Sequence, residues 1–159
     1  AEVRRLIRSI TTPVQRSIYQ MWVTASRHAD TLAWTVIPWT DDTIQLRFGV
    51  WKSDLFGKRK FSKWVRQDHI ARWRRGASYK EVYEYVKATH PHLSVHSFRN
   101  GAIFHLGTHF EEDRICLLTG HQPRFTVPGL SHYIIAHPSQ RGPQTCLEMS
   151  HSLRETLRT

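Results

Sequence analysis

Residues 96–121 read HSFRNGAIFHLGTHFEEDRICLLTGH. Two helices are legible here, Ser97–Leu106 and Glu111–Leu118, with Gly107 marking the break between them. His96 and Arg99 stand at the entrance with HxxR spacing, and Leu117-Leu118-Thr119-Gly120-His121 forms the exit. HxxR alone carries almost no information. HxxR, a glycine break, a helix, a Gly-His pair and then a tyrosine make a far more selective order. Tyr133 is the only tyrosine after His96.

Working outward, Pro13–Leu32 contains no internal glycine or proline, and Val14, Ile18, Met21 and Trp22 recur near helical spacing. Thr12 before Pro13 suits a helix start, because proline lacks only an N–H that the first turn does not use. A second helix is expected to open within Ser26–Leu32, with Asp30 near its beginning. Ala33–Pro38 is short, apolar and β-branched, and Asp41-Asp42 reads as a turn. Ile44–Trp51 alternates apolar with polar or small residues, the period of a half-buried strand. Lys58–Val65 returns as its hairpin partner, which places Lys52 at the bend. Asp68–Arg75 and Ser78–Thr89 read as helices on either side of Gly76. Gly120, Pro123, Pro128 and Gly129 form a loop, and Pro138, Gly142 and Pro143 a flexible connector. Gln144–Leu157 puts Cys146, Met149, Leu153 and Leu157 on one stripe of a last amphipathic helix, which must dock on its own domain or a neighbour. The expectation is one α+β domain, mostly α, with a small antiparallel sheet: residues 1–137 as the domain, 138–143 as connector and 144–159 as tail helix.

The chain has 159 residues and a formal net charge of +10. Its start at Ala1 is read as the mark of a fragment. The excess charge is uneven: residues 1–75 hold 15 Lys/Arg against 6 Asp/Glu, and residues 76–159 hold 8 against 7. Lys58, Arg59, Lys60, Lys63, Arg66, Arg72, Arg74 and Arg75 form the densest cluster and are the candidate DNA-binding residues, since each neutralised phosphate releases condensed counterions. Charge alone would equally suit a membrane surface or an acidic protein. No apolar run is long enough to span a bilayer and no signal peptide is evident. Two cysteines, Cys116 and Cys146, are too few for a disulfide scaffold and point to a reducing compartment. The six tryptophans all precede His96 and are assigned to the core. His105 and His109 stand four apart, but a pair is short of the three or four ligands a zinc site needs, so no metal and no other cofactor is expected.

The segments His96-Ser97-Phe98-Arg99 and Leu117–His121 resemble the HxxR and LGH signatures of tyrosine recombinases, the family of phage integrases and chromosome-dimer resolvases. Thr24–Leu32 is similar to the family's first-arginine motif, with Arg27 followed by an acidic residue three positions later. The resemblance runs from about Arg4 to Tyr133 and implies six catalytic residues in order: Arg27, Lys52, His96, Arg99, His121 and Tyr133. It also implies a largely helical catalytic domain with a small antiparallel sheet beside the active site. The chemistry suits these residue types. Attack on a phosphodiester builds negative charge on the non-bridging oxygens, which Arg27 and Arg99 would grip with planar forks, helped by His121. Tyr133 needs a base or an electrostatic pull, since an ordinary tyrosine titrates near pH 10, and His96 is the candidate. Lys52 would protonate the departing 5′-hydroxyl.

Two departures from the family pattern stand out. The family usually has a glycine just before the first arginine, where this chain has Ala25-Ser26, and the span from His121 to Tyr133 is longer than typical. Both are closer to the divergent recombinases of eukaryotic mobile elements. Singly, each residue has a plainer reading: Arg27 as a helix-surface charge, His96 as a capping histidine, Tyr133 as a packed aromatic. Lys58 and Lys60 also compete with Lys52. The implied partners are double-stranded DNA, further copies of the chain in a dimer or tetramer, and a missing N-terminal DNA-binding domain; the implied location is intracellular, nuclear in a eukaryote. Rival readings are a type IB topoisomerase, a telomere resolvase, and a non-cutting DNA-binding module on the same fold. The tail helix is a candidate for exchange between protomers, with docking in cis as the alternative.

Overall fold

A computed structural model describes residues 12–40, 42–48, 61–66, 76–120 and 138–157. Within them the chain is mixed helix and strand, mostly helical, as its periodicities predict. The order is α1 (Pro13–Thr24), α2 (His28–Ala33), β1 (Thr35–Thr40), β2 (Thr43–Phe48), β3 (Phe61–Arg66), α3 (Tyr79–Thr89), α4 (Ser97–Gly107), α5 (Glu112–Thr119) and α6 (Pro138–Glu155). The expected helix over Asp68–Arg75 lies outside the described residues, as do the bend at Lys52 and the loop carrying Tyr133.

Local chemistry sets the ends of α1 and α3. Thr12 and Gln15 form a reciprocal box at the start of α1, each side chain accepting from the other's backbone N–H at 3.2 Å, so two end donors are satisfied at once. Pro13 follows in the first turn. Ser78 does the same work for α3, accepting from the N–H of Glu81 at 3.3 Å. Helix α1 stops at Ala25, whose backbone is left-handed at φ 49.

Helix α1 is the centre of the molecule: every residue from Ser17 to Thr24 is buried. Ile18, Met21, Trp22 and Val23 belong to one core with Phe98, Ala102 and Leu106 of α4, Leu118 of α5, and Cys146, Met149 and Leu153 of α6. Each large aliphatic or Phe side chain taken from water contributes about 1.5–3 kcal/mol, and sharing one core couples these three helices to α1. The sheet has the order β1-β2-β3, antiparallel throughout. Of the tryptophans among the described residues, Trp22, Trp34 and Trp64 are buried as expected, while Trp39 is half exposed.

The C-terminal segment corrects the sequence reading. Pro138, Gly142 and Pro143 do not form a connector; α6 runs through them from Pro138 to Glu155. Gly142 serves close packing there, because a Cβ at this position would come within 3.1 Å of the Trp64 ring. The tail packs against the rest of the chain. Ser150 donates to the carbonyl of Val23 at 2.8 Å, and the Trp22 indole N–H reaches the carbonyl of Leu153 at 3.0 Å. The stripe of Cys146, Met149 and Leu153 is fully buried in this position.

Gly76 enters α3 against α1. A Cβ here would collide with the Ser17 hydroxyl and press on the Ser17 backbone at 3.2 Å, where Ser17 accepts from the N–H of Ala77 at 2.8 Å. Gly107, by contrast, has nothing within 4 Å of the equivalent position. Gly76→Ala is therefore expected to lower unfolding free energy by about 2 kcal/mol through overpacking. Gly107→Ala is expected to be neutral or to raise it by about 0.5 kcal/mol, since alanine is the better helix former. Urea unfolding of the two variants checks the contrast.

Candidate phosphate-binding site

The turn between α1 and α2 delivers the first functional side chain. Ala25 ends α1, Ser26 is buried, and Arg27 precedes α2 with an extended backbone. Asp30 lies one turn into α2 and reaches back: its Oδ2 accepts from the backbone N–H and from Nε of Arg27, both at 3.2 Å. The motif's spacing of three is thus the spacing at which a helix residue caps its own N-terminus.

Arg99 arrives from the other side of the core, in the first turn of α4. Its Nη1 is 3.7 Å from the same Asp30 Oδ2, and its Nη2 donates to the carbonyl of Thr119 at 3.1 Å. The Arg99 side chain is only 4 % exposed, whereas that of Arg27 is 32 % exposed. One guanidinium is therefore anchored in the floor of the site while the other borders solvent. Thr119 ends α5, and Gly120 follows at φ 79, a backbone region that glycine enters without a Cβ penalty. The chain leaves this point directly into His121.

A third cation closes the cluster. Lys63 of β3 is completely buried, and its ammonium donates to the carbonyl of Thr24 at 3.0 Å and to Ser26 Oγ at 2.8 Å. Its grouping with the DNA-facing surface cations is thereby corrected. Lys63 pairs across the sheet with Leu46, and directly opposed residues share a face, so the lysine follows Leu46 into the core. Burial holds its pKa down to about 7, with Arg99 and Arg27 pushing the same way and Asp30 and Cys146 opposing. Burial and the proximity of Arg27 likewise bring Arg99 down to about 10, with Asp30 opposing. Cys146 is pushed up to about 11 by burial, so it stays a thiol beside the lysine.

Of the six residues expected in the site, the structure joins Arg27 and Arg99. His96 stands at the entrance of α4, one turn before Arg99, and is exposed. Lys52, His121 and Tyr133 lie outside the described residues. So do Lys58, Arg59, Lys60, Arg72, Arg74 and Arg75; Arg66, at the end of β3, is half-buried. Asp30 and Lys63 are the site residues that sequence reasoning did not place there. His28, next to Arg27, is buried and donates Nε2–H to the carbonyl of Ala77 at 2.8 Å, fixing α2 to the start of α3.

The histidine pair serves structure as well. His105 and His109 have ring centroids 4.5 Å apart, yet His105 Nε2 bonds Ser152 Oγ at 3.0 Å, joining α4 to α6. Among the described residues no group of three or more His, Cys, Asp or Glu is placed to hold a metal ion, and no helix is long and apolar enough to cross a membrane.

Among the described residues, three basic side chains stand around one carboxylate, a balance suited to an anion with several oxygens. No known family profile, curated protein or solved structure matches this chain.

The depressed lysine gives a signed pH dependence. Between pH 7 and the ordinary value of 10.5, the unfolded chain holds a proton on this lysine that the folded chain does not. Stability therefore rises with pH across that window, by at most about 1.4 kcal/mol per unit, and is flat below it. Urea unfolding at pH 7 and pH 9 is expected to show a smaller rise in Lys63→Met than in the wild type.

Proposed function

We propose that this chain is the catalytic domain of a tyrosine recombinase, cutting and rejoining DNA through a phosphotyrosine at Tyr133. The observation that carries the reading is the convergence of Arg27 and Arg99 on the single carboxylate of Asp30. The two arginines come from motifs 72 positions apart in the sequence, and the resemblance assigns both to one phosphate. Two guanidiniums brought together at a positive, partly open site suit the charge that builds on a phosphodiester under attack.

In this reading the Tyr133 oxygen attacks phosphorus and the bond to the 5′-oxygen breaks. The tyrosine proton is taken up by a base, for which His96, one turn before Arg99, is the candidate. The departing 5′-oxygen receives a proton from Lys52, the hairpin lysine. Lys63 is not suited to that step, because its ammonium is buried and engaged with Thr24 and Ser26. The phosphotyrosine keeps the energy of the broken ester, so a 5′-hydroxyl can reverse the reaction without nucleotide. The basic stretch around Lys58–Arg75 would hold the duplex through phosphate contacts, with strong dependence on salt.

Trapping tests the reading. Nicked suicide duplexes of randomised sequence, incubated with the chain and run on a denaturing gel, are expected to give a covalent protein–DNA band. Tyr133→Phe is expected to abolish it. Arg99→Lys is expected to lower its rate of formation by about 10²–10³-fold, the usual cost of losing one oriented donor to a developing oxyanion. A band that survives Tyr133→Phe, or no band from any duplex that the chain binds, would contradict the assignment.

A further inference from the structure

We propose that Lys63 is a positioning residue for Arg27: from strand β3 it pins the turn that aims the Arg27 guanidinium at the anion. The inference rests on the reading of Arg27 and Arg99 as a phosphate clamp and adds a residue to it.

Ala25 is the one non-glycine residue with positive φ among the described residues, at φ 49. This left-handed conformation is unfavourable for any residue with a Cβ and persists only where its surroundings over-determine it. Lys63 supplies that determination from both sides, since it donates to the carbonyl of Thr24 before Ala25 and to the hydroxyl of Ser26 after it. The Thr24 carbonyl belongs to the last residue of α1, where the helix macrodipole favours a cation. Thr24 Oγ1 also donates to Ser26 Oγ at 2.8 Å, so the Ser26 side chain is held by two donors. Arg27 is the next residue.

This geometry accounts for the departure at Ser26. A glycine there would leave the Lys63 ammonium without a side-chain oxygen, and a buried cation that loses an acceptor is strongly destabilised. Serine and lysine form a matched pair across 37 positions. Arg99 has a different anchorage, through Thr119 and Asp30. Loss of Lys63 should therefore be felt at Arg27 and far less at Arg99, a difference that general loosening of the fold would not produce.

The test uses the chain labelled with ¹⁵N-arginine and titrated with sodium pyrophosphate at pH 6, below the Lys63 pKa of about 7, following the Nε–H signals of Arg27 and Arg99. In the wild type both signals move on binding. In Lys63→Met the movement of the Arg27 signal at saturation is expected to fall by at least half while that of Arg99 persists. The dissociation constant is expected to rise about fivefold or more, toward that of Arg27→Ala. Adding Lys63→Met to Arg27→Ala is expected to weaken binding no further. Ser26→Ala, a milder change, is expected to act in the same direction to a smaller extent and serves if Lys63→Met does not fold. Binding within twofold of wild type in the folded variant would overturn the proposal, as would equal losses at both arginines. A wild type in which neither arginine responds would overturn the phosphate-clamp reading itself.

Discussion

A carboxylate that faces two guanidiniums holds this site together. Asp30 accepts twice from Arg27 and lies 3.7 Å from Arg99. Without it the two arginines, with Lys63 close enough to be perturbed by both, would be three like charges in a largely buried setting, where each resists the others. With it the cluster is tolerable but still positive. A purely structural ion-pair network tends toward neutrality, because buried uncompensated charge is costly. Among the described residues the cluster holds more basic than acidic groups, a balance that an anionic ligand would restore in the proposed reading.

The rest of the fold serves that placement. Helix α1 runs through the core and ends at the turn that presents Arg27. Helices α4 and α5 pack against one another so that Arg99 meets the carbonyl of Thr119, and α5 ends at the left-handed Gly120. Helix α6 covers α1 with a buried stripe and tethers to it through Trp22 and Ser150. The arginine turn is thus clamped from the sheet by Lys63, while the helix leading into it is held from the C-terminal side by α6.

Much of this architecture was legible in sequence, and the failures have particular causes. Helices α1, α3, α4 and α5 follow apolar spacing and explicit end signals at Thr12, Ser78 and Gly120, which act locally and so can be read locally. The α6 boundary was misread because Gly142 and Pro143 ordinarily interrupt a helix; contact between Gly142 and Trp64, 78 positions away, is invisible in a linear pattern. Lys63 was misplaced for a similar reason. Its face depends on the register of β2 against β3, and the long connection between those strands does not fix a register as a two-residue turn would. Asp30 was visible as part of a motif, but its role as a hub needs Arg99 to arrive from the other side of the core. Arg27 and Arg99 were singled out together through the family resemblance, and they do meet at Asp30.

The most direct test of the central claim is a crystal structure of the chain grown with sodium orthovanadate. The account predicts a single oxyanion bonded to the guanidiniums of both Arg27 and Arg99, with Asp30 still bracing the pair and Lys63 still bonded to Thr24 and Ser26. Vanadate bound only elsewhere, with the Arg27–Asp30–Arg99 cluster unchanged and unliganded, would contradict it.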